Sequence, residues 1–178
     1  MTPEQLKDLG LKHYRAEQYA EAAQAFEAAA QALEQAGDPG AAAEMRNNLC
    51  VVRLAQADWE GALAAVAGTP ETFRRLGDIL REGQATANLA AAHDGAGRLE
   101  PAAAGYLQAI DLLGRAGDQE TRAACFKKLS ALQIKLGQQM QALASMRSGL
   151  NLSPDSDLNA KEKMLKDLLN RAMKMMGL

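Results

Sequence analysis

At 178 residues the chain is long enough to bury roughly 70% of its unfolded surface and to fold by itself. It is 48% hydrophobic but only 4% aromatic, and its formal charge of −2 argues against general nucleic-acid binding. Its two cysteines, Cys50 and Cys125, have neither the number of a disulfide framework nor the spacing of a zinc site.

Alanine leads the apolar residues, loses no side-chain entropy in a helix and lets backbones approach closely. No apolar–polar alternation is long enough for a strand, so an all-α fold is expected. Met1 to Asp8 hold no apolar leader segment, and no apolar run could span a bilayer. The expectation is a soluble cytoplasmic chain without a membrane span, its cysteines small buried thiols.

One tripeptide sets the organisation. Ala36-Gly37-Asp38 recurs as Leu76-Gly77-Asp78 and Ala116-Gly117-Asp118, 40 residues apart each time. Other columns keep that step: Leu9, Leu49, Leu89 and Leu129; Ala22, Ala62, Ala102 and Ala142; Phe26, Val66, Tyr106 and Met146. The chain divides into units 1–38, 39–78, 79–118 and 119–152, each a helical hairpin, and a tail, 153–178. Glycine closes a unit in a left-handed cap, and the next aspartate accepts N–H groups of the following helix.

Unit one carries Leu9, Ala22 and Phe26 in register, with the large residue Tyr19 three before the alanine. Unit two departs from the pattern: Gly68-Thr69-Pro70-Glu71 falls inside its second helix, where proline removes a backbone hydrogen bond. A break is expected there, with Thr69 as N-cap and Pro70 as the first residue of a short new helix. In unit three, helices are expected over about 81–96 and 100–115, with Gly97-Arg98 between them. Gly137 makes the same turn in unit four. Ser153-Pro154-Asp155-Ser156-Asp157 then reads as a loop before an amphipathic helix of about 158–176, whose apolar stripe is Leu165, Leu168, Leu169, Ala172, Met173 and Met176. Capping the last apolar face is its expected role.

These columns resemble the tetratricopeptide repeat: Leu9-Gly10, Ala22, Phe26 and Ala29 in unit one, Leu89-Ala90, Ala102, Tyr106 and Ala109 in unit three. The 40-residue period resembles the extended-helix subclass that includes Pins-type polarity adaptors and kinesin light chains. The resemblance implies a right-handed α-solenoid of four hairpins plus a C-terminal capping helix. It also implies a protein–protein scaffold whose first helices line a concave groove for an extended peptide or a partner helix.

In that register Asp8, Asn48, Asn88 and Lys128 form a column facing the groove. Asparagine offers a donor and an acceptor, so such a column can hold a peptide main chain regardless of sequence. Lys7, Glu44, Asn47, Gln84, Lys127 and Lys135 flank it, the lysines tuning it for acidic partners. The carboxylate clamp of chaperone-binding cochaperones would fall on Lys7, Leu11, Asn48, Gln84 and Asn88, where Leu11, Gln84 and Asn88 depart from it. A chaperone tail is therefore not the expected ligand.

His13 and His93 share a column two units apart, about 20 Å or more given helix spacings, so they share no metal and read as structural. No phosphate loop, HExxH, GxSxG or Cys–His dyad occurs, and no enzyme, cofactor or metal site is expected. A second reading is an assembly module that self-associates through the C-terminal helix. That helix is basic and holds Met164, Met173, Met175 and Met176, and methionine suits adaptable interfaces. The charge is uneven: residues 1–118 hold 10 Lys+Arg against 17 Asp+Glu, and residues 119–178 hold 10 against 5.

Overall fold

The computed structural model describes residues 1–175, apart from the side chain of Met173. All regular structure among them is helical: α1 (Pro3–Arg15), α2 (Tyr19–Gln35), α3 (Pro39–Ala55), α4 (Trp59–Val66), α5 (Thr69–Leu76), α6 (Ile79–Gly95), α7 (Leu99–Ala116), α8 (Gln119–Lys135), α9 (Gln139–Leu152) and α10 (Ala160–Met175). Successive helices pack as neighbours except α4 and α5, each of which packs against both α3 and α6, and α3 and α6 also pack together.

The start of each of α3, α6 and α8 follows from the tripeptide. Gly37, Gly77 and Gly117 adopt φ of 76°, 72° and 81°. The carboxylates of Asp38, Asp78 and Asp118 then accept from the N–H groups of Ala41, Arg81 and Thr121 at 2.9, 2.9 and 3.0 Å. The turns inside the pairs share a backbone but not a residue type. Gly97 and Gly137 are left-handed there, and so are Glu17 (φ 59°) and Ala57 (φ 56°), where a Cβ makes that conformation unfavourable.

The core lies along the alanine column. Ala22, Ala62 and Ala102 are fully buried, Ala142 nearly so, and Phe26, Val66 and Tyr106 fill the space beside it. Close approach also needs a missing side chain at Gly95, where an added Cβ would fall 2.3 Å from the Trp59 ring. Both thiols are buried, and burial pushes Cys50 up to about 12 and Cys125 up to about 11.

The second helix of the unit 39–78 breaks as expected, into α4 and α5, but Thr69 is not its N-cap. Gly68, at φ 72°, takes that place, and Thr69 is the first residue of α5, 2% exposed with its hydroxyl unpartnered. Only glycine takes the left-handed turn there without strain, and it turns the Thr69 side chain into the core.

α10 starts at Ala160, later than expected. Asn159 and Glu162 cap it reciprocally, each side chain accepting from the other's N–H at 3.0 Å. Leu158 and Leu169 are buried, but Leu168 is 61% exposed, so the buried stripe excludes it. Leu168 instead shares an outer strip with Met164 and Met175. The Met173 side chain and Met176 fall outside the described residues. Asn170 joins α10 to α9: its oxygen accepts from Arg147 Nε at 2.9 Å and from Asn151 Nδ2 at 3.1 Å, and its amide donates to Asn151 Oδ1 at 3.1 Å.

Candidate functional site

The groove residues lie on α1, α3, α6 and α8, and most are joined from one of these helices to the next. Lys7 Nζ sits 2.8 Å from Glu44 Oε1, and the other Glu44 oxygen is 3.2 Å from Arg81. The hydrogen bond to Glu44 raises the Lys7 pKa against the opposing effect of burial. Asn88 Nδ2 donates to Asn47 Oδ1 at 2.9 Å, and Gln84 Nε2 to Asp118 Oδ2 at 3.3 Å. Burial pushes the Asp118 carboxyl up, but the N–H and hydroxyl of Thr121 and the Gln84 amide outweigh it and bring it below its ordinary value. Lys135 Nζ lies 3.5 Å from Asp94, and Lys127 Nζ lies 3.8 Å from Glu162 on α10.

Lys7 and Lys127 occupy the same column, and each reaches an acid on the next helix along this face. α10 thus presents Glu162 to α8 much as α3 presents Glu44 to α1. The three flanking lysines are therefore already beside carboxylates, which reduces their pull on an acidic ligand. Lys128 and Asp8 are exposed and Asn48 is half-buried, and no ion pair or side-chain hydrogen bond joins these three to their neighbours among the described residues. The structure brings Asn88 to Asn47, not to Asn48. Arg81, Asp94 and Asp118 complete the contacts and were not expected as part of the face. Their signal was their spacing of 34–41 residues from their partners, close to the repeat period.

Beyond α8 the face opens into a cavity of about 510 Å³, between α8, α9, the segment after α9, and α10. Ala123, Ala124, Met146, Leu150, Leu158 and Leu165 supply apolar wall, and Glu120, Lys127, Asp157 and Glu162 supply charge. This volume lies within the range of small-molecule ligand pockets. Of the expected groove residues Lys127 lines it, and no sequence motif marked it.

The histidines sit at the turns, away from this face. His13 Nδ1 is 2.7 Å from Gln18 Oε1. At the equivalent place His93 meets Arg98 instead; its Nδ1 is buried and unpartnered, and burial, with Arg98 adding, lowers its pKa.

No protein-family model and no curated protein matches the chain. Among the described residues no helix is long and apolar enough to cross a membrane. Nor, among these residues, is any group of three or more His, Cys, Asp or Glu placed to hold a metal ion.

Proposed function

We propose that the chain is a binding scaffold: a right-handed solenoid of four tetratricopeptide-type hairpins, closed by α10, that grips an extended peptide or a partner helix. The observation that carries this reading is the continuous polar face on α1, α3, α6 and α8. Contacts such as Lys7–Glu44–Arg81 and Asn47–Asn88 tie these helices side by side and leave Asn48 and Lys128 with unused hydrogen-bonding groups. A rigid face of this kind holds a ligand with little ordering cost. The recurrence of left-handed turns and aspartate caps at a 40-residue step supports the repeat assignment. The buried thiols suit a reducing compartment such as the cytoplasm.

The test is affinity capture from lysate of the source cells, comparing the wild-type chain with an Asn48/Asn88/Lys128 triple-alanine variant. A protein retained only by the wild type supports the face as its site. Equal retention by both removes the face from the account of that partner.

Self-association is the second reading, favoured by Met164, Leu168 and Met175 at 70%, 61% and 84% exposure on one strip of α10. Light scattering on the full chain tests it. A dimer that becomes monomeric in Leu168→Lys supports this role, and a monomeric wild type ends it.

A further inference from the structure

On the α8 wall of the cavity stands Ala124, in one column of the sequence with Glu4, Glu44 and Gln84. Glu44 reaches Lys7 and Arg81, and Gln84 reaches Asp118. Ala124 has only a methyl group there, with Ala123 and Gly149 beside it, and about 510 Å³ stays open. The walls are mainly apolar. The charges around them run against their surroundings.

Residues 119–178 hold twice as many basic as acidic residues, with only 5 Asp+Glu. Yet three of those five, Glu120, Asp157 and Glu162, line this cavity. They come from different walls: α8, the segment after α9, and α10. Among the described residues that line it, the opposing charge is Lys127, 3.8 Å from Glu162.

We infer that this cavity takes one apolar side chain of the partner, presented by a segment with lysine or arginine on both sides of that residue. The inference rests on the scaffold reading and names the partner's chemistry. The apolar anchor leaves water for a preformed pocket, which accounts for affinity. Carboxylates on separate walls meet cations on either side of the anchor and repel an acidic segment, which accounts for selectivity.

The experiment titrates the isotope-labelled full chain, followed by amide NMR, with two short end-blocked peptides of equal length. Each has one central phenylalanine, flanked by lysines in one and by glutamates in the other. The lysine-flanked peptide is expected to shift the amides of Ala123, Ala124, Gly149 and Leu165 and to bind at least about tenfold tighter than the other. Ala124→Phe, which fills the space from α8, should abolish these shifts. The surface pair Glu120→Lys and Asp157→Lys should reverse the preference while leaving the spectrum folded. Equal binding of the two peptides, no binding of either, or retention of the preference in the charge-reversed variant overturns the inference. Shifts confined to Asn48, Asn88 and their neighbours would overturn it too while sparing the scaffold reading. Shifts confined to the cavity, with the groove amides unmoved, would uphold the pocket and instead count against the groove.

Discussion

The seams between α1, α3, α6 and α8 and the seam between α8 and α10 are built by the same repeating logic but end differently. In the first set, charged and amide side chains reach across at nearly every step, and apolar residues pack beneath them. In the last, α10 is held to α9 by the Asn170 cluster, and among the described residues the polar link to the α8 face is Lys127–Glu162, above an open cavity. A repeat array can thus acquire a pocket without any special motif, simply by shortening the side chains in one column at the end of the stack.

The largest effect should come from breaking the closed part. Phe26 is 1% exposed and packs beside Gly10 and Ala22, so Phe26→Ala should cost about 3–5 kcal/mol in urea unfolding. Leu165→Ala, beside space that is already open, should cost only about 1–2 kcal/mol. Similar losses at both sites would mean the last seam is as tightly packed as the others.

A smaller effect sharpens the comparison within the closed part. Ala57 is left-handed where Gly97 and Gly137 stand in the later turns, so Ala57→Gly should raise stability by about 0.5–1 kcal/mol, read as a higher melting temperature. A loss would show that the Ala57 methyl makes contacts worth more than its strain. Smallest is Glu44→Ala, which cuts both ion pairs on the face. These groups are partly exposed, so the cost should be under about 1 kcal/mol and should shrink with added salt.

Much of the fold was legible because it is written in periodic residues. The Gly-Asp closures, the alanine column and the proline break each have a local cause, and the structure places helix ends at or near them. The cap at Thr69 was misread because two residues there can both end a helix turn, and the free φ of Gly68 outweighs the side-chain capping of threonine. Leu168 was misassigned because α10 is apolar over more of its circumference than it buries, so periodicity alone could not choose the docked stripe. On the candidate face the columns gave which helices carry the residues, but not how those residues pair. Whether a lysine faces solvent or an acid on the next helix depends on stagger between helices, which a single column does not encode. The cavity was invisible for a simpler reason: Ala124 reads as one more good helix former until the neighbouring helix is in place.

Amide hydrogen exchange on the full chain tests the contrast between the seams most directly. Amides of α3 and α6 should exchange through a shared opening, and those of α10 through one at least about 2 kcal/mol lower in free energy. If α10 instead opened with the same free energy as α3 and α6, the last seam would be as closed as the others and the account of the cavity would be contradicted.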